Sequence, residues 1–163
     1  MILNEDLRFE SVGSSVKRAF VRVPEKIRLA PGQQFYKWTS NPLLGGRGIT
    51  PWWSFVESTR LPSGVIAEGF QVAEQRAARL GKTPRDFARA RAAVSGQFGN
   101  TMSDLLVVSL SLSAWGFVGQ ASGQREFADD RADLRHVFLI GGAWQVWIPN
   151  LESRHLSVVP ARA

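Results

Sequence analysis

The spacing of apolar residues predicts two amphipathic helices in the middle of the chain, because apolar side chains recur there at intervals of three and four. The apolar stripe of the first helix consists of Ile66, Phe70, Ala73, Ala77 and Leu80. Gly81 is placed to end this helix, as glycine often does at a C-terminus. The second helix begins at Thr83-Pro84, a capping residue followed by a proline suited to the first turn. Its stripe consists of Phe87, Ala90, Val94 and Phe98. The same start signal, Thr50-Pro51, predicts a short helix over residues 50–56.

From Asp104 onward the pattern changes to strict alternation, which predicts a strand with one apolar and one mainly hydroxyl face. The apolar face consists of Leu106, Val108, Leu110 and Leu112, and the hydroxyls of the other face are Ser109, Ser111 and Ser113. Further strands are predicted over residues 33–39, 137–140, 144–148 and 156–159. Helices in the first half and strands in the second predict an α+β fold. Its N-terminal half is mainly helical, and its C-terminal half forms a mainly antiparallel sheet.

Length and composition predict one soluble globular domain spanning residues 1–163, since 44% of the residues are hydrophobic and 21% are charged. The absence of cysteine excludes disulfides, thiolate nucleophiles and cysteine-based zinc sites. The two histidines, His136 and His155, show no metal-ligand spacing, so no metal site is predicted.

Neither a secretory signal nor a membrane span is predicted from the sequence. The first ten residues, MILNEDLRFE, carry acids and lack an apolar stretch of signal-peptide length. The apolar run over residues 105–118 is interrupted by Ser109, Ser111, Ser113 and Gly116. We therefore expect a cytoplasmic protein without membrane contacts, with export by a signal-less route left open.

The net charge of +6 is concentrated in residues 60–92, where basic side chains outnumber acidic ones. The arginines of interest are Arg76, Arg79, Arg85, Arg89 and Arg91. One interpretation is a surface that binds nucleic acid or an acidic protein. The other is a pair of solvated helix faces, and it is favoured because no aromatic residues are interleaved with these arginines.

Three aromatic or hydroxyl-rich strands offer polar candidates for a binding pocket. Residues 35–38 place Lys37 among aromatic side chains, and residues 109–113 carry the hydroxyl face. In residues 141–149 the alternation of a strand puts Gln145 and Trp147 on one face and Trp144 on the other. A glutamine beside an indole suits recognition of a hydroxyl group next to a stacking wall.

Taken in order, these three segments resemble the ADP-ribosyltransferase family, in particular its arginine–serine–glutamate branch. Tyr36-Lys37 looks like the first motif, residues 109–113 like the second, and residues 144–149 like the third, so that the resemblance spans residues 33–159. It implies an enzyme of the glycosyltransferase class that uses NAD, such as a bacterial toxin or effector that transfers ADP-ribose to a macromolecular target.

The resemblance also implies roles for individual residues. Lys37, beside Tyr36, would contact the pyrophosphate, while Ser109 and Ser111 would shape the pocket for nicotinamide and ribose. Gln145 would hold the ribose. A nucleotide ring would stack on Trp52, Trp53 or Trp147.

Two positions depart from the family pattern. Lys37 stands in place of an arginine, and Gln145 in place of the glutamate that faces the positively charged ribose of the transition state. A charge pair at about 5 Å with an effective dielectric near 20 contributes roughly 3 kcal/mol, so its loss slows transfer on the order of a hundredfold.

Three explanations remain open for the missing glutamate. Another acid, Glu57 or Glu152, supplies the charge, or the fold binds without catalysing, or the resemblance does not hold. Two non-enzymatic classes also remain: the basic binding module described above, and an assembly protein with tryptophans at subunit contacts.

Overall fold

The computed structural model of the chain describes residues 1–39, 49–83, 104–122, 124–125, 138–139 and 142–160, and in this part the protein is mostly β-sheet. The strands are β1 (Ile2–Leu3), β2 (Glu25–Leu29), β3 (Gln34–Thr39), β4 (Trp52–Phe55), β5 (Thr59–Arg60), β6 (Ile66–Ala67), β7 (Asp104–Leu110), β8 (Ser113–Gln120), β9 (Gln124–Arg125), β10 (Phe138–Leu139), β11 (Trp144–Trp147) and β12 (Leu156–Val158). The described helices are α1 (Ser14–Arg18), α2 (Phe70–Arg79) and two 3-10 turns, Phe9–Ser11 and Ser153–His155.

The main sheet follows the strand order β1-β8-β11-β4-β3-β7-β12, and β2 also pairs with β8. All of these pairings are antiparallel except that of β1 with β8. The short turn at residues 111–112 joins β7 to β8, although four positions separate these strands in the sheet order. Residues 30–33 similarly join β2 to β3. Such short turns require the sheet to curl, and the result is a half-barrel with a concave and a convex face.

The concave face carries the hydrophobic core. Side chains from strands at both ends of the sheet order meet there in one cluster, which includes Phe35, Phe55, Val108, Val118 and Val146. Each of these side chains is at most 1% exposed. Because side chains alternate between the two faces of a strand, the residues next to these core residues face the convex side.

The convex face is covered by two segments of the first half of the chain. Helix α2 places Phe70 edge-on against Tyr36, with ring centroids 4.9 Å apart. The N-terminal segment, residues 9–20, places Phe9 against Phe117 and Phe20 against Trp52, each at 5.5 Å.

The predicted α+β class with a mainly helical N-terminal half is wrong. Within the described residues before position 84, six strands and only two α-helices are present. The clearest error is the helix predicted over residues 50–56, where β4 pairs with both β3 and β11. Trp53 and Phe55 are buried in the core, whereas Trp52 and Ser54 face the convex side. This two-residue period overrides the local start signal of Thr50-Pro51.

Two other predictions are corrected in their bounds. The first predicted helix exists as α2, but Ile66 belongs to β6, and the helix starts at Phe70 after Gly69. Gly81 ends it with φ of 64°. The strand predicted from Asp104 stops at Leu110, because residues 111–112 form the turn into β8. The helix predicted from Thr83, with Arg85, Arg89 and Arg91, lies almost wholly outside the described residues.

Candidate anion-binding site

Lys37 lies on the concave face, two residues beyond Phe35 along β3. In β3 its side chain shares a face with the buried Phe35, and it lies across from Leu106 of β7. Its ammonium is 3.9 Å from the centroid of the Trp53 ring, in the geometry of a cation–π contact. The same nitrogen donates a hydrogen bond to the exposed hydroxyl of Thr50. Strands β3 and β4 and Thr50, two residues before β4, therefore position this group.

The environment of Lys37 disfavours its positive charge. Burial lowers the pKa of Lys37 from 10.5 to about 8. Within the described part of the chain it forms no ion pair with a carboxylate. The Nε1 of Trp53 is buried and has no hydrogen-bond partner among the described residues. A partly desolvated cation without a carboxylate partner favours an anionic ligand.

Four other residues of the predicted site lie on the convex face. Tyr36 contacts the hydroxyl of Ser54, and burial under α2 raises the pKa of Tyr36 to about 12. Gln145 is 9% exposed, and its Nε2 donates to the carbonyl of Ala19 at 3.0 Å. Gln145 therefore anchors the N-terminal segment to β11.

The predicted stacking residues divide between the two faces. Trp52 and Trp147 lie opposite each other on the convex face, with ring centroids 6.4 Å apart, and Trp147 stacks on Phe117 at 6.2 Å. Trp53 is on the concave face, under Lys37. Gln145 and Trp147 share one face and Trp144 packs against the core on the other, so the predicted alternation of this strand is confirmed.

The remaining predicted residues belong to neither face group at Lys37 or Gln145. Ser109 pairs with Ser157 at the β7–β12 edge, and Ser111 donates from the β7–β8 turn to the carbonyl of Arg154. Glu57 lies in a bend two residues beyond the end of β4. Glu152 is paired with Arg154 at 2.7 Å and caps the turn before β12.

The structure thus brings together two groups rather than one pocket. Lys37 and Trp53 meet on the concave face, whereas Tyr36, Gln145, Trp52 and Trp147 lie on the convex face. Sequence analysis missed Thr50 and Ser54, since both were assigned to a helix. The shared parity of Lys37 and Phe35 in β3 was a usable signal, because Phe35 is an expected core residue.

The basic side chains proposed as a binding surface are only partly described. Arg76 is paired with Glu68, and Arg79 is exposed in the last turn of α2. Arg85, Arg89 and Arg91 lie outside the described residues.

The described residues contain neither a metal-binding cluster nor a helix that could span a membrane. No group of three or more histidine and acidic side chains is arranged to hold a metal ion there. In the same part of the chain, no helix combines the length and apolar character needed to cross a bilayer.

Comparisons with known proteins show one weak structural neighbour. No protein-family model matches the chain, and no curated protein matches it. A solved structure of Tse6 in complex with Tsi6 is similar at a TM-score of 0.42 with 11% sequence identity. The match covers 93% of this chain and 87% of that one. This degree of similarity assigns neither a family nor a function to the chain.

Proposed function

We propose that this protein binds NAD, with the pyrophosphate at Lys37, as a domain that resembles ADP-ribosyltransferases. The observation that carries the proposal is the partly buried ammonium of Lys37, which has no carboxylate partner among the described residues. Folded protein normally compensates such a group, and a phosphate oxygen is a suitable compensating acceptor.

The local geometry supports an approach of the anion from the side of Thr50. Thr50 is exposed, so an incoming phosphate reaches its hydroxyl and the ammonium of Lys37 together. Trp53 and the residues beyond it fill the core, so the nucleotide rings remain outside this corner. Binding of an anion favours the charged form of Lys37 and therefore raises its pKa.

The proposed activity is binding without transfer of ADP-ribose by the residues named above. Gln145 projects from the opposite face to Lys37 and bonds to the N-terminal segment. Glu57 lies two residues beyond β4, and Glu152 pairs with Arg154. In the described structure none of these three side chains bonds to Lys37, so we assign them no role in transfer at this site.

Isothermal titration with NAD and with inorganic pyrophosphate tests the binding. We expect saturable binding of both below millimolar concentration, a loss of at least tenfold in Lys37→Gln, and retention in Lys37→Arg. Lys82→Gln, a change of equal charge at an exposed lysine, is the matched control. Absence of binding at millimolar NAD would refute the proposal.

A nicotinamide-release assay tests the absence of transfer. We expect no release above the rate in buffer. Release that disappears in Gln145→Ala would show that the convex face, not the corner at Lys37, holds the ribose.

A further inference from the structure

Strand β2 presents two cations on the convex face of the sheet. The β2–β8 register places Lys26 opposite Phe117 and Arg28 opposite Trp115. Residues directly opposite in an antiparallel pair point to the same side, and Phe117 belongs to the convex face. Both cations are exposed. Among the described strands β2 pairs only with β8, so these side chains lie at an open edge.

Aromatic rings lie directly beside these cations. The ammonium of Lys26 is 4.9 Å from the centroid of the half-buried Trp115 ring. Lys17, in α1, lies 5.8 Å from the ring of Phe9, which meets Phe117 edge-on. We name Lys17, Lys26, Arg28, Phe9 and Trp115 the basic–aromatic patch.

The charge of the patch is not neutralised within the described part of the chain. Lys17, Lys26 and Arg28 form no ion pair there. The first ten residues carry three exposed acids, Glu5, Asp6 and Glu10, and none of them forms an ion pair with these cations within the described residues. The patch therefore remains available to an external anion.

We infer that the basic–aromatic patch binds single-stranded nucleic acid. Lys17, Lys26 and Arg28 contact successive phosphates, and bases stack on Trp115 and Phe9. The inference is independent of NAD binding, because Lys37 lies on the opposite face of the sheet.

The combination of rings and cations favours this partner over the alternatives. Single-stranded nucleic acid is typically bound by a positive groove with aromatic side chains on which bases stack. Lys26 and Arg28 are two residues apart on one strand, about 6.6 Å, so that they follow an extended backbone. A duplex keeps its bases within the stack, and an acidic peptide has no bases to occupy the rings.

Fluorescence anisotropy with a labelled oligo(dT) or oligo(U) strand, over a series of salt concentrations, tests the inference. The key variant is Lys26→Gln with Arg28→Gln. Its matched control is Arg79→Gln with Lys82→Gln, which removes the same charge at exposed positions in and after α2. Trp115→Leu tests stacking, and a polyglutamate peptide and a duplex of equal length test the partner class.

We expect the β2 double variant to weaken binding at least tenfold and to lower the salt slope by about 1.4, since each single-strand phosphate contact contributes about 0.7. Trp115→Leu should weaken oligonucleotide binding on the order of tenfold with little change in salt slope. The control pair should keep wild-type affinity.

Three results would overturn the inference. The first is an absence of oligonucleotide binding by the wild type at low salt. The second is an equal loss in the control pair, which would indicate net charge rather than a site. The third is polyglutamate binding as tight as oligonucleotide binding and insensitive to Trp115→Leu, which would identify an acidic protein as the partner.

Discussion

Replacing Lys37 with methionine should stabilise the protein at neutral pH, because it removes a partly buried cation while keeping a side chain of similar length. The pKa of Lys37 is about 8 in the folded protein and 10.5 in the unfolded chain, so burial of its charge costs at most about 3 kcal/mol of folding free energy. The cation–π contact with Trp53 offsets about 0.5–2 kcal/mol of this penalty. Desolvation is therefore the larger effect, and Lys37→Met should gain about 1–2 kcal/mol after allowance for partial exposure.

The sign of the pH dependence follows from the depressed pKa. Between pH 8 and 10.5 the unfolded chain binds more protons at Lys37 than the folded one, so wild-type stability rises across this window. The advantage of Lys37→Met should accordingly be full below pH 8 and vanish near pH 10.5. Urea unfolding followed by tryptophan fluorescence measures the stability and its pH dependence, with Lys82→Met at an exposed position as control.

Two results would refute the interpretation of Lys37 as a desolvated cation. One is a Lys37→Met variant less stable than the wild type at neutral pH, and the other is a gain in stability that does not change with pH. The link to function has its own check. Inorganic pyrophosphate should raise the unfolding midpoint of the wild type, since it binds only the folded state, and should leave Lys37→Met unchanged.

Three further predictions concern the convex face and the start of α2. Tyr36 is the single tyrosine, so its ionisation can be followed by ultraviolet absorbance, and the midpoint pH should be about 12 in the folded protein and 10.0 in urea. A midpoint of 10.0 in the folded protein would mean that α2 does not cover Tyr36. Gly69→Ala should lower the free energy of unfolding in urea by about 2–3 kcal/mol, because the added Cβ would lie 2.5 Å from the carbonyl oxygen of Val56. Gly13→Ala, whose nearest contact is 3.9 Å away, should be close to neutral, and equal effects of the two would contradict the packing argument. Gln145→Leu should cost about 0.5–1.5 kcal/mol because it removes one of the two hydrogen bonds to the carbonyl of Ala19, which keeps the bond from the main-chain N–H of Ser122, and unchanged stability would show that the Gln145 bond is not formed in solution.

The alternation and the helical stripe were predictable where the pattern is long. The seven residues of β7 show a clear two-residue period, and α2 carries a stripe ended by Gly81. Strand β4 was not predictable, since four largely apolar residues after Thr50-Pro51 fit either a helix or a strand. Its partners β3 and β11 decide the outcome, and they lie elsewhere in the sequence.

The sequence was sufficient to identify individual candidate residues, but not to predict which of them share a face of the sheet. Lys37 among aromatics and Gln145 beside Trp147 were both identified from local sequence. Whether two such residues face each other depends on strand parity and on the order of strands in the sheet. Lys37 and Gln145 lie on different faces because Lys37 shares parity with the core residue Phe35, whereas Gln145 alternates with the core residue Val146.

The pairing of the first two strands with β8 has a consequence for how the chain folds as it is synthesised. Ile2 pairs with Ser113 and Glu25 with Val118, and Asn4 donates to the carbonyl of Trp115 across 111 positions of sequence. The residues of β1 and β2 are therefore synthesised well before β8, and they acquire this partner only after the later strand has been made. Contacts of such long range slow folding and leave the early strands without their β8 partner meanwhile.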